Sequence, residues 1–261
     1  MNQRPHVLIL SGLDPSGGAG IQADIQAITA LGCHPLPVIT CLTVQDTLNV
    51  YNAEAINADM IRQQLECLSA DVPIHAIKTG ALGSAAIVDV LVQFVEDKQD
   101  IPLIVDPVIK AAGGGELADE ALVSAMKERL FPIADVITPN GVELAQLGGI
   151  ENERSAAETL IAQGCPAVLT TGGHGDEPQI TNRLHRPGSP DAEWKLERRG
   201  GEYHGSGCTL AAAIAAGRAQ GLDLDSAIEQ AQGYVSKAIE HALTVGRGQP
   251  VPDRGGAAAT S

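Results

Sequence analysis

Short apolar runs alternate with amphipathic stretches along most of this chain. His6–Ser11, Pro37–Leu42, Ala76–Thr79, Leu103–Asp106, Asp135–Thr138 and Ala167–Thr170 are brief and largely apolar, the pattern of strands covered on both faces of a parallel sheet. Helical spacing fills the intervals at Gly20–Leu31, Ala58–Ala70, Ser84–Glu96, Asp119–Leu130 and Ser155–Gln163. In the first of these, Ile21, Ile25, Ile28 and Leu31 form one apolar stripe. This alternation predicts an α/β domain with a mostly parallel central sheet and helices on both faces.

The pattern changes after Gly172. Gln179–Arg186 and Glu193–Arg198 read as polar-alternating strands joined by PGSPDA, an edge hairpin. Two helices follow, Cys208–Gln220 and Ser226–Thr244, the first rich in alanine. One domain over residues 1–245 is expected, with a mobile tail of Gly, Pro, Ala and polar residues over 246–261.

Composition narrows the function. The chain has 261 residues, 44% of them hydrophobic, and a formal net charge of −15. That charge and 2% aromatic residues argue against nucleic-acid binding. No apolar run approaches the roughly 18 residues of a membrane span, and residues 1–6 do not resemble an export signal. The five cysteines, Cys33, Cys41, Cys67, Cys165 and Cys208, include no CxxC pair, so a reducing cytoplasm is expected. Glycine is in excess, with 29 residues, or about 11% against a typical ~7%.

The excess gathers where strands are expected to end. SGLDPSGGAG (Ser11–Gly20) joins the first strand to the first helix, and its glycines permit close approach of backbone to an anion. It lacks the Lys-Ser/Thr of a P-loop, and a plain tight turn is the competing reading. GGGEL (Gly113–Leu117) follows Asp106 and Lys110. HGSGCTL (His204–Leu210) opens the alanine-rich helix, where the amides of Gly205, Ser206, Gly207 and Cys208 suit an anion nest; an ordinary start capped by Ser206 is the alternative. Lys78 stands in an apolar strand and implies a carboxylate or phosphate partner. Asn140 and Glu143 open a helix after the fifth strand, either facing the cleft or forming a capping box. TTGGHGDE adds Thr171 and Gly173 to the same edge.

Backbone nests, a few lysines and carboxylates suit phosphoryl transfer, which asks mainly for positioning and charge neutralisation. Asp106 and Glu143 are candidate Mg²⁺ holders, directly or through water. Cys208 at a helix N-terminus is a candidate base, since that position lowers a thiol pKa.

The segments GLDPSGGAGIQADIQ, TVQDT, IKTGALGS, VDPV, TPNGVEL, TGGH and HGSGCTLAAAIA resemble, in order and spacing, the bacterial hydroxymethylpyrimidine/phosphomethylpyrimidine kinases of the ribokinase-like superfamily. The resemblance spans about Leu8 to Leu243 and implies a three-layer fold. It implies an enzyme using ATP and Mg²⁺ to phosphorylate the pyrimidine alcohol and then its monophosphate, in thiamine biosynthesis. On that resemblance, Cys208 is catalytic, with Gly205, Ser206 and Gly207 as its anion hole. Gln45 contacts the aminopyrimidine, bordered by Gly12 and Asp24. Lys78, Asp106, Asn140, Thr171 and Gly173 serve nucleotide and phosphate, and Glu143 joins Asp106 at the metal. Relatives commonly form dimers, so a homodimer is expected, with a monomer as the open alternative.

Three positions depart from the family pattern. Thr171 stands where many relatives have lysine, which removes a positive contact that Lys110 is a candidate to replace. Ala81 stands where methionine is frequent, and Leu13 where a small polar residue is common. A pyridoxal kinase and a non-catalytic pyrimidine-binding protein remain the alternatives. Gln45 and the GSGC sequence oppose the first; intact Cys208, Asn140 and Glu143 oppose the second.

Overall fold

The structure is a computed structural model and describes residues 4–110, 117–173 and 178–256. Nine strands form one sheet: β1 (His6–Leu13), β2 (His34–Gln45), β3 (Val50–Ala55), β4 (Ala76–Thr79), β5 (Leu103–Val105), β6 (Val136–Ile137), β7 (Val168–Thr170), β8 (Gln179–His185) and β9 (Ala192–Glu197). Their spatial order is β3-β2-β1-β4-β5-β6-β7-β8-β9. From β2 to β7 neighbours are parallel; β3, β8 and β9 are antiparallel additions at the two edges.

The chain runs from β1 to β2 on one side and then returns to place β4 on the other. Such a reversal opens a crevice at the carboxyl ends of the strands. Side chains of β1 alternate between two cores: Leu8 and Leu10 enter one, Val7 and Ile9 the other. Helices α2 (Ala58–Asp71), α3 (Ala85–Val95), α4 (Glu120–Ala125), α5 (Gly141–Gly148) and α6 (Glu153–Ala162) pack on the first face. Helices α1 (Gly20–Ala30), α7 (Ser206–Ala219) and α8 (Leu224–Glu240) cover the second. The expected ribokinase-like three-layer arrangement and edge hairpin are therefore present.

Three elements depart from the sequence expectation. β3 (VYNAEA) is exposed along nearly its whole length and carries no apolar run; it exists because its backbone pairs with β2, Leu42 opposite Glu54 and Val44 opposite Asn52. The expected helix Asp119–Leu130 splits into α4 and a wider π-type turn at Met126–Leu130. The expected mobile tail is corrected as far as Gly256. Leu243 and Val251 exchange backbone hydrogen bonds of 2.8 and 3.0 Å, Val251 is buried, and Arg254 is 2% exposed. Gly113–Gly115 and His174–Glu177, parts of two glycine loops singled out above, lie outside the described residues.

Candidate active site

A cleft of about 590 Å³ opens at the carboxyl ends of the parallel strands. Ser11, Gly12 and Asp14 reach it from β1, Asp106 follows β5, Thr138 and Asn140 follow β6, and Thr171 and Gly173 follow β7. The start of α7, Gly205–Cys208, closes it from the opposite face.

Asp14 shapes the first glycine loop. Its Oδ1 accepts from the amide and hydroxyl of Ser16 at 2.8 and 2.7 Å, and its Oδ2 from the Ala19 amide at 2.8 Å. Burial works to raise its pKa, but bonds from His204, Ser16 and Ala19 hold it below the ordinary carboxylate value. His204 Nε2 lies 2.8 Å from the same Oδ2, tying this loop to the loop before α7.

Gly205 caps α7 in a left-handed conformation, φ +81°, without any side-chain cap. A Cβ there would strike the Gly18 carbonyl oxygen and meet Arg254 Nη2 at 2.8 Å, so the backbones of the two glycine loops approach closely here. Ser206 does not cap the helix; its hydroxyl donates to the Tyr203 carbonyl at 3.1 Å. The early amides of α7 lack an intrahelical partner, and Gly207 and Cys208 line the cleft. The arrangement is an anion nest at a helix N-terminus.

Beneath the nest lies a row of buried charge. Lys78 is fully buried, with Nζ 2.8 Å from Asp24 Oδ1 and 3.7 Å from Asp106 Oδ2. Burial works against its charge, but Asp24 and Asp106 more than offset that and raise its pKa. Two expected site residues lie outside the cleft lining. Asp24 is fully buried and pairs with Lys78. The partners of Lys78 are carboxylates, and its ammonium is sealed from solvent.

Cys208 requires a correction. The half-buried thiol is pushed up by burial first and by the Asp106 carboxylate next; Lys78 and the Gly20 amide oppose this without cancelling it. The helix terminus therefore does not yield a resting thiolate at neutral pH.

Asn140 and Glu143 form the capping box and face the cleft at once. Asn140 Oδ1 accepts from the Glu143 amide at 2.9 Å, and Glu143 Oε2 from the Asn140 amide at 3.0 Å. Both line the cleft. Burial and Asp106 push the Glu143 carboxyl up to about 8. Asp106 Oδ2 and Thr138 Oγ1 are buried without a hydrogen-bond partner.

The two ends of the cleft differ. At one, Thr43 Oγ1 donates to the Leu13 carbonyl at 2.8 Å and contacts Gln45 Oε1 at 3.1 Å, while Gln45 Nε2 lies 3.2 Å from His204 Nε2. Gly12 and Ala81 line this end; a Cβ on Gly12 would fall 2.7 Å from Cys41 Sγ. At the other, Ile180, Leu196, Val235 and Ile239 form an apolar wall. Arg198 Nη1 donates to the Gly173 carbonyl there at 2.9 Å. Lys110, exposed, lines the mouth.

Sequence reasoning missed Asp14, His204 and Arg254. An Asp-Pro at the start of a loop is a turn signal through which Asp14 was accessible. His204 and Arg254 gain their partners only from segments distant in sequence.

A parallel α/β sheet with a helix-terminal anion nest, a buried lysine–carboxylate row and a cleft shared by Asp106 and Glu143 defines a small-molecule kinase of the ribokinase-like fold. Residues 14–252 match the family described as phosphomethylpyrimidine kinase, and the chain belongs to that family. It is 35% identical to the hydroxymethylpyrimidine/phosphomethylpyrimidine kinase of Haemophilus influenzae, covering 95% of this chain and 96% of that one. It is 39% identical to the thiamine biosynthesis bifunctional protein ThiED of Geobacter sulfurreducens, over 94% of this chain; it spans about half (51%) of that relative's length. Among solved structures, the pyridoxal kinase of Staphylococcus aureus in complex with pyridoxal superposes with a TM-score of 0.88 at 28% identity, covering 97% of this chain and 94% of that one. The phosphomethylpyrimidine kinase of Clostridium difficile gives 0.77 at 31% identity, covering 91% and 100%.

Proposed function

We propose that this protein transfers the γ-phosphoryl group of ATP to the hydroxymethyl oxygen of 4-amino-5-hydroxymethyl-2-methylpyrimidine, and then a second phosphoryl group to the monophosphate. The observation that carries this reading is one cleft joining the Gly205–Cys208 nest to the Gln45 amide and to Asp106 and Glu143. A side-chain amide offers both a donor and an acceptor to an aminopyrimidine edge. The apolar wall of Ile180, Leu196, Val235 and Ile239 suits the adenine of ATP.

The donor set fits Mg²⁺. Two carboxylates share the cleft, one pushed up to about 8 by burial and by the other's charge, and Asp106 Oδ2 lacks any hydrogen bond. A cation relieves both costs, and one or two carboxylates plus substrate phosphates are its usual protein shell. When bound, Mg²⁺ supplies charge neutralisation to the phosphates and to Asp106. Cys208 is placed to accept the hydroxymethyl proton; Lys78 and the Gly20 amide favour its thiolate, against burial, Asp106 and Asp24. The nest amides stabilise the charge on the transferring group. In the second reaction the attacking phosphate oxygen is already largely ionised, so no base is needed.

A coupled ATP-consumption assay on the pyrimidine alcohol, its monophosphate and pyridoxal tests this. Turnover of both pyrimidines well above pyridoxal is expected; faster turnover of pyridoxal overturns the substrate assignment. Pyrimidine binding without ATP consumption would establish a non-catalytic protein instead.

The catalytic unit in this reading is one domain that includes the packed segment to Gly256. It works in the cytoplasm, consistent with five free cysteines, Cys67 exposed among them. Among the described residues no helix is long and apolar enough to cross a membrane, and the charge of −15 argues against nucleic-acid partners. A homodimer would cover the β2–β3 edge, where Val44 is 60% and Tyr51 63% exposed. A Val44→Glu variant sedimenting as monomer, against a dimeric parent, is the expected result.

A further inference from the structure

Arg254 combines features that rarely meet. It is 2% exposed, and its guanidinium has no carboxylate within ion-pair distance among the described residues. A buried charge without a counter-charge is costly, and burial indeed lowers its pKa. Each nitrogen instead reaches a different part of the site. Nε donates to Thr209 Oγ1 on α7 at 2.9 Å, Nη1 to Gln26 Oε1 on α1 at 3.1 Å, and Nη2 to the Gly18 carbonyl of the first glycine loop at 2.5 Å. Thr209 Oγ1 in turn donates to the Gly205 carbonyl at 2.6 Å.

The backbone carrying Arg254 is fixed independently. Tyr234 Oη donates to the Arg254 carbonyl at 2.8 Å, and the Asp253 amide donates to the Ala238 carbonyl at 2.9 Å. Pro250, in the same segment, accepts from the His204 amide at 2.9 Å. The strap over residues 250–254 thus touches both glycine loops and both helices that open on them. Its Nη2 would lie 2.8 Å from a Cβ on Gly205, and Arg254 itself does not line the cleft.

The geometry points to Arg254 as a positioning residue for phosphoryl transfer: it holds the first glycine loop against the anion nest and fixes a positive charge beside that nest. Lysine cannot substitute, because one ammonium lacks the planar fork that reaches three elements at once. A nest matters most when charge develops on the transferring group, so the loss falls on kcat more than on KM. The inference rests on the kinase reading.

The test uses the full chain with Arg254→Met, Arg254→Lys and Arg254→Ala, and with Thr209→Val, which removes the hydroxyl that joins Arg254 Nε to the Gly205 carbonyl while keeping the arginine. Arg254→Met and Thr209→Val should each lower kcat per folded enzyme by about 10- to 100-fold, with KM for ATP and acceptor moving by less than about threefold. Arg254→Lys should recover less than half of that loss. Guanidinium chloride at about 20 mM, too dilute to unfold the protein, should restore part of the Arg254→Ala rate where equal sodium chloride does not. Hydrogen exchange over residues 12–20 and 203–210 should quicken in Arg254→Met, a readout independent of turnover. Unchanged exchange, or kcat within about twofold of the parent for both Arg254→Met and Thr209→Val, would overturn the role. An inactive parent chain would instead sink the kinase reading, leaving exchange to decide the positioning claim.

Discussion

Lys78 in the floor of the cleft and Lys110 on its rim carry the same charge in opposite circumstances. Lys78 is fully buried between Asp24 and Asp106, so its charge is spent within the protein. Lys110 is exposed at the mouth, where water screens it and an incoming anion can still reach it. The floor is a buried cluster of one lysine and two carboxylates; the rim is glycine loops with an exposed charge. In a chain of net charge −15, this division lets a polyanionic nucleotide bind locally without a basic surface.

The largest effects should come from the floor. Lys78→Met strands two buried carboxylates, and loss of one partner of such a cluster typically costs about 3–5 kcal/mol. A thermal melt should show marked destabilisation; a near-parental melting temperature would mean that the row is not ionised. Adding Asp24→Asn to Lys78→Met should restore part of the stability, because it removes one of the orphaned charges.

Next in size is the nest. Cys208→Ala should slow phosphorylation of the alcohol by about 100-fold, the scale of a lost general base, and phosphorylation of the monophosphate far less. Equal losses on the two acceptors would remove Cys208 from proton transfer. The raised thiol pKa gives the alcohol reaction an alkaline-rising rate that the monophosphate reaction lacks.

Glu143 links floor to rim. Its folded carboxyl titrates near 8, above the ordinary 4.5, through burial and then Asp106. Between those values the unfolded chain has released a proton that the folded chain retains. Stability of the ligand-free protein should therefore fall as pH rises from about 4.5 to 8, at up to about 1.4 kcal/mol per pH unit for this one group. Glu143→Gln should flatten that slope in denaturant titrations, and Mg²⁺ added at pH 7 should release protons from the parent and fewer from the variant. A slope unaltered by Glu143→Gln would assign the pH dependence elsewhere.

The same contrast explains what was legible in the sequence. The parallel core was readable because strands such as Val7–Leu10 are apolar on both faces, and the nest because GSGC announces itself locally. The pairing of Lys78 with Asp24 was not legible: their 54-residue separation closes only when α1 packs on β1, the strand that pairs with β4. Thiol chemistry at Cys208 was misjudged for a related reason, since a helix terminus is visible in sequence but the neighbouring Asp106 and the burial are not. β3 and Arg254 were overlooked because neither has apolar periodicity. One is made by backbone pairing and the other by three polar contacts.

The smallest effect is expected at the rim, where it is also most diagnostic. Thr171 pairs its backbone with the Asn140 segment, its amide donating to the Pro139 carbonyl at 3.2 Å, and contributes no charge. Lys110 is an exposed cation at the mouth, outside the ion pairs of the floor. Lys110→Ala should raise KM for ATP by about two- to fivefold at low salt, as exposed charges contribute about 1 kcal/mol or less. The difference should shrink as ionic strength rises toward about 0.5 M, where the Debye length falls to a few ångströms. A buried contact would keep its contribution in salt, as Lys78 should. If instead Lys110→Ala lowers kcat, or its effect survives high salt, Lys110 belongs with the floor and closes over the phosphates during the reaction.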